Sequence, residues 1–347
     1  MSDSIQRFEQ RKSDHIRISL DPRSQAEGLS LLGQIKIIHE ALPDFNFSEV
    51  NIDQVQFSHR FSAPFFISSM TAGHCEGEKI NERLVSFATR KNLLMGVGSQ
   101  RRELFDAEAA KEWKKLRNLY PQAQLVGNIG IAQLIQSSTS QIMQLIDHLE
   151  AFAFFVHLNP LQEVLQPEGT TDFRGGLQAI ANLVKNSPVP VIIKEVGSGM
   201  SESTMRRLAD VGVQAIDVSG LGGTHWGRVE GYRTNPEQLL YQVAQTFSNW
   251  GQSTVDSVLS AKEANVNCQI WASGGVRNGL DIAKLLALGA QNVGLAKPFL
   301  QAAIDSDDAL DLLYDRLTYE LKVAMFCSGI ENVQQFAKKK VWQWQKN

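Results

Sequence analysis

The run HLNPLQE (157–163) gathers His157, Asn159, Gln162 and Glu163 into seven residues, directly behind the apolar stretch FAFFV. If that stretch is a buried strand, these side chains form one wall of a polar site displayed where the strand ends. A core histidine and an Asn-Pro turn are the structural alternatives for His157 and Asn159. Lys194 closes a second apolar run, PVIIKEVG (190–197), where a buried ammonium without a partner would be costly. It must face an anion, an electron-rich ring, or a neighbouring carboxylate such as Glu195. A third feature is WASGGVRNGLDIAKLL (271–286), with Gly274 and Gly275 just before a helical pattern, followed by GLAKP (294–298). Glycines let backbone N–H groups approach an anion, and a helix N-terminus favours its charge. The pair predicts a phosphate site, unless the glycines merely turn the chain.

The elements that must position these residues recur along the chain. Candidate strands cover 64–70, 93–99, 123–130, 153–159, 190–197, 215–223, 268–275 and 292–298, with helix-period segments such as INERLVSFATRKN and LDIAKLLALGA between them. Near-continuous apolar strands alternating with amphipathic helices indicate an α/β protein with a covered parallel sheet. Eight such units predict a closed (β/α)8 TIM barrel over 64–347. An open doubly wound sheet would carry a G-x-G-x-x-G turn after its first strand, and SSMTAGH is none. Residues 1–63 predict a helical N-terminal extension, and DALDLLYDRLTYELKVAMFCSGI a long C-terminal helix. KKKVWQWQK near the end is expected to be a solvated helix end, and Trp226 and Tyr232 to pack a loop. Barrel sites lie at the C-terminal strand ends. Those ends present Ser69, Met70 and Thr71; Ser99 and Arg101; Asn128; the HLNPLQE set; Lys194; Ser219 and Thr224; Gly274 and Gly275; Ala296 and Lys297.

Composition sets bounds. The 347 residues are 43% hydrophobic and 20% charged, with a net charge of −3, which argues against general nucleic-acid binding. An anionic ligand must then be held by local cations. Cys75, Cys268 and Cys327 match no zinc or disulfide spacing. With a polar N-terminus and no long apolar run, they predict a soluble protein of a reducing cytoplasm, with no membrane partner.

Several motifs together resemble the FMN-dependent barrel family, and within it the type 2 isopentenyl-diphosphate isomerases. They are RKSDHI (11–16), SSMTAGH (68–74), MGVGSQR (95–101), HLNPLQE (157–163), KEVGSGMS (194–201), SGLGGTHWGRVE (219–230) and ASGGVRNGLDIAKLLALGA (272–290). The resemblance implies interconversion of isopentenyl and dimethylallyl diphosphate by a 1,3-allylic proton shift, with reduced FMN, Mg²⁺ and NADPH as reductant. It implies FMN held by Ser69, Met70, Thr71, Ser99, Asn128, Lys194, Ser219 and Thr224, its phosphate on Gly274, Gly275, Arg277, Ala296 and Lys297. Arg11, Lys12, His15, Arg101 and Asn159 would bind the substrate, the extension thus contributing to its site. Gln162, Lys194 and His157 would serve the chemistry, and Glu163 would bind Mg²⁺. Gln162 is neither acid nor base on its own scale, so it is expected to orient the alkene while the reduced flavin handles the proton. A homo-oligomer, tetramer or octamer, is also expected. Flavin-dependent 2-hydroxy-acid oxidases resemble each other in a Ser-Asn-His-Gly-Gly-Arg run. Here Leu221 and Thr224 stand at the histidine and arginine positions, leaving that chemistry without its base.

Overall fold

The computed structural model describes residues 2–70 and 75–345. Its strands are β1 (Ile35–Ile37), β2 (Gln54–Gln56), β3 (His59–Phe61), β4 (Phe65–Ile67), β5 (Leu94–Gly96), β6 (Gln124–Gly130), β7 (Ala153–Leu158), β8 (Val191–Glu195), β9 (Ala215–Asp217), β10 (Gln269–Ser273), β11 (Asn292–Leu295) and β12 (Trp342–Trp344). The eight from β4 to β11 close into a parallel barrel in chain order, as expected.

Each barrel strand is buried on both faces, and period two sorts its side chains. On β7, Phe154 and Val156 join the core shared with the helices, while Ala153 and Phe155 point inward. The inward set, Phe66, Leu94, Val126, Phe155, Ile192, Ala215 and Trp271, fills the barrel with a dry aromatic and aliphatic layer. Successive side chains alternate across a strand, so the next inward position lies two residues on. Those positions hold Ser68, Gly96, Asn128, His157, Lys194, Asp217 and Ser273. A polar layer thus rests directly on an apolar one.

The floor is closed by the β2–β3 hairpin. Its two turn residues, Phe57 and Ser58, both have positive φ, 47° and 67°, a conformation that turns usually give to Asn or Gly. The half-buried Phe57 ring packs near Trp271, 5.8 Å between centroids.

The extension departs from the helical expectation after its first element. A helix runs over Ser2–Leu20, but residues 21–63 hold short 3₁₀ turns and β1 to β3. The expected solvated helix end is a strand instead. β12 pairs antiparallel with β1, with Ile35 opposite Trp344 and Ile37 opposite Trp342. The W-Q-W alternation suits a half-covered strand better than a helix. The long C-terminal helix is present as Asp307–Phe326, capped by Ser306.

Arg117, 5% exposed, ties the outer layer to the barrel. It donates to the Leu149 carbonyl at 3.1 and 3.0 Å, to Pro121 O at 3.1 Å and to Ala123 O at 2.8 Å. Arg117→Met leaves these carbonyls without a donor, so it should lower unfolding free energy by about 2–4 kcal/mol in urea titrations.

Candidate active site

The polar layer opens into one cleft of about 1640 Å³, counted to its open mouth. Every predicted site residue among those described lines it. Thr71 lies outside the described residues.

On the β7 side, side chains hold one another in fixed orientations. Asn128 Nδ2 donates to Val97 O at 3.1 Å, so its Oδ1 accepts from His157 Nδ1 at 2.8 Å. That leaves His157 Nε2 as a lone-pair nitrogen. Burial first, then the charges of Lys194 and Lys12, push the imidazole down to about 3, so it is neutral. Asn159 Nδ2 donates both to Gln162 Oε1 and to Glu163 Oε1, each at 3.1 Å. Gln162 Nε2 in turn donates to Glu230 Oε1 at 3.0 Å. The Gln162 amide therefore cannot flip without losing both partners.

Glu230 has no exposed surface and accepts from His15 Nε2 at 2.9 Å and from Arg233. Burial acts to raise its pKa, but the hydrogen bond from His15 and the neighbouring cations prevail and hold it well below the usual carboxylate range. The helix Ser2–Leu20 brings Arg11, Lys12, His15 and Ser19 to the cleft; His15 lies three and four residues after Lys12 and Arg11, and Ser19 four after His15, which puts them on one side of the helix. Burial, followed by Arg11 and Arg101, pushes the Lys12 ammonium down to about 7. Cations crowded into a buried site call for a polyanion.

The opposite wall suits a phosphate. Gly274 and Gly275 have φ of 104° and 78°, and a Cβ on Gly274 would fall 2.0 Å from Gly220 O, so neither accepts a side chain. The helix Lys297–Asp305 starts at Ala296 with no side-chain cap, and Ala296, Lys297 and Arg277 line the cleft there. Between the walls, the buried hydroxyls of Ser68 and Ser69 find no hydrogen-bond partner among the described residues. A planar polar ring system with a phosphate tail, as in FMN, fits this floor and cup. Lys194, 6% exposed, rises from the floor and donates to Glu195 O at 2.6 Å. Lys194 forms no ion pair with Glu195, whose carboxylate is taken up by the amides of Val196, Gly197 and Ser198, while buried Asp217 stands opposite it in the strand register and feels its charge. Mg²⁺ fits less completely. Glu163 gives one carboxylate, already accepting from Asn159 and from Thr170 N at 2.6 Å, and Asn159 Oδ1 is a buried acceptor with no partner. Water and ligand phosphate would have to complete an octahedral shell.

Sequence reasoning left Glu230 unassigned and gave Trp226 to loop packing. Trp226 lines the cleft and meets His15 edge-on at 5.0 Å between centroids. The signal available was the i, i+4 spacing of Trp226 and Glu230, which puts both on one face of the helix Trp226–Arg233. His225 of the same motif is structural: its Nδ1 accepts from Arg228 N at 3.2 Å and its Nε2 donates to Trp250 O at 3.0 Å.

A family model described as FMN-dependent dehydrogenase matches residues 159–343. Among curated proteins, the chain is 59% identical over 347 residues to an isopentenyl-diphosphate delta-isomerase of Bdellovibrio bacteriovorus, covering 99% of this chain and 100% of that one. Proteins of the same name in Legionella pneumophila (strain Corby) and a Nostoc species are 50% identical over 329 residues and 40% over 336. These alignments cover 95% and 96% of this chain, and 96% and 95% of theirs. Solved structures share the fold: a mutant flavocytochrome b2 with pyruvate bound has a TM-score of 0.68 at 18% identity, covering 92% of this chain and 78% of that one. A lactate oxidase from Pediococcus acidilactici has a TM-score of 0.67 at 15% identity, covering 99% and 95%.

The depressed Lys12 gives a test. A polyanion beside it stabilises the ammonium and raises its pKa, so binding at about pH 8 must draw a proton from buffer. Titration calorimetry of Mg²⁺-pyrophosphate in two buffers of different ionisation enthalpy should show net proton uptake, and Lys12→Met should reduce it. Affinity should fall as pH rises above about 7.

Proposed function

This chain belongs to the isopentenyl-diphosphate delta-isomerase family, of the FMN-dependent type, and we propose that its barrel-mouth cleft is where that isomerisation takes place. The reaction is the 1,3-allylic proton shift between isopentenyl and dimethylallyl diphosphate. One observation carries this placement: two anion subsites, the cationic helix face and the glycine cup, flank a single polar floor.

In this reading Arg11, Lys12 and Arg101 bind the substrate diphosphate, with planar forks and a point charge suited to phosphate oxygens. Glu163 shares Mg²⁺ with that diphosphate, Asn159 supplying its amide oxygen. His157 can donate to a diphosphate oxygen through Nε2 only once the anion has raised its pKa. The hydrocarbon end then lies by Gln162 and Trp226, where the doubly held amide fixes the direction of the C=C–C unit. Glu230 stays ionised and acts by holding Gln162 and His15. Lys194, Ser69, Met70, Thr71, Ser99, Asn128, Ser219 and Thr224 hold the flavin. Gly274, Gly275, Arg277, Ala296 and Lys297 take its phosphate. Bound reduced FMN supplies an electron-rich face and a proton-exchanging ring nitrogen that no side chain here offers. We further infer NADPH as reductant, a cytoplasmic protein and a homo-oligomer, tetramer or octamer. The exposed Leu239 and Leu312, each 73% exposed, support self-association. No helix of the described residues is long and apolar enough to cross a membrane.

The test is an anaerobic incubation with isopentenyl diphosphate, Mg²⁺ and FMN reduced by NADPH or dithionite. Dimethylallyl diphosphate should form only when both reduced flavin and metal are present. Formation without either would overturn the reading. Glu163→Gln should raise the Mg²⁺ concentration for half-maximal rate about 10–100-fold. Gln162→Ala should lower kcat on the order of 10²-fold through misorientation, with the bound-flavin spectrum unchanged.

A further inference from the structure

Residues 21–30 cross the back of the glycine cup as a strap. Ala26 N donates to Gly223 O at 2.7 Å and His225 N to Ser24 O at 2.9 Å, while Gln25 and Thr224 form an antiparallel bridge. Packing is backbone against backbone: a Cβ on Gly222 would lie 2.3 Å from Ser30 Cβ. The strap therefore forms the outer wall of the loops that end β9 and β10.

Gln25 is 7% exposed, and its one carboxamide reaches three different parts of the molecule. The two N–H groups of Nε2 are shared among three acceptors, Ser19 O at 2.8 Å, Ser24 Oγ at 3.0 Å and Thr224 Oγ1 at 3.2 Å. Oε1 accepts from Arg277 Nη2 at 2.9 Å. Ser19 ends the helix whose cleft face carries Arg11, Lys12 and His15. Thr224 and Arg277 belong to the cofactor wall. Arg277 uses one further N–H on Val276 O, so most of its five donors remain for a phosphate while Gln25 fixes the guanidinium plane.

We propose that Gln25 is a positioning residue that couples the two anion subsites, so that a cofactor phosphate on Arg277 and Thr224 favours the seated N-terminal helix, and a diphosphate under that helix favours cofactor retention. The coupling rests on the two subsite assignments above. Two ligands that each select the same arrangement of one connecting element must help each other equally.

The test measures the FMN dissociation constant of the apoprotein by flavin fluorescence, with and without saturating Mg²⁺-pyrophosphate. In the wild type, pyrophosphate should tighten FMN about fivefold or more. In Gln25→Leu each ligand should still bind, but the ratio should fall to about one. A merely structural role would weaken both ligands and leave the ratio intact. Failure of the wild type to bind either ligand would overturn the subsites and the coupling together. Binding of both with a wild-type ratio of one, or a ratio that survives in Gln25→Leu, would overturn the coupling alone. Should that variant fail to fold, hydrogen exchange on the wild type decides. Saturating FMN should slow exchange over residues 10–20, and saturating riboflavin, which lacks the phosphate, should not; equal effects would overturn the proposal.

Discussion

The mouth of this barrel depends on the dry layer beneath it. Phe66, Phe155 and Trp271 fill the interior, and the period of a β-strand then fixes which residues stand two positions above them. Groups at that level rest on hydrocarbon and cannot be left without partners at small cost. Neighbours satisfy some of them, as Asn128 does for His157 and Ser273 Oγ for Asp217, at 2.8 Å. Among the described residues the hydroxyls of Ser68 and Ser69 have no such neighbour, which directs them to whatever lies above.

The barrel was legible because doubly buried parallel strands read as apolar runs, and the polar residue ending each run is visible in one dimension. The described residues named from those ends line one cleft for that reason. What stayed hidden depends on contacts between distant segments. Glu230 looks like an ordinary helix carboxylate until His15, 215 positions away, arrives beside it. Gln25 reads as a loop glutamine, since neither Thr224 nor Arg277 can be inferred from its surroundings. The Phe57–Ser58 turn carries neither Asn nor Gly, the residues that usually mark one. The W-Q-W strand was mistaken because three lysines before it resemble a solvated helix end, whereas its partner lies about three hundred residues earlier.

Charge follows the same division between local and global. A net charge of −3 argues against a general nucleic-acid binder but says nothing of a cleft where Arg11, Lys12 and Arg101 converge. Nor does composition reveal that His157 sits there neutral, or that Glu230 is anionic among cations. These states follow from burial and partners, and they set a cationic helix face beside a neutral imidazole and a doubly held amide.

The pairing of β1 with β12 bears on how the molecule is made. During synthesis the barrel strands emerge in the order in which they close, so most contacts form between near neighbours. β1 emerges early and must wait for β12, a loop closure spanning nearly the whole chain and slow on that account. The strap and N-terminal helix lie upstream of that waiting strand, so the cleft wall they form should mature last, after translation has nearly finished. Removing a few residues at the far end would then be felt first at the start of the chain, where no contact with the reacting atoms was lost.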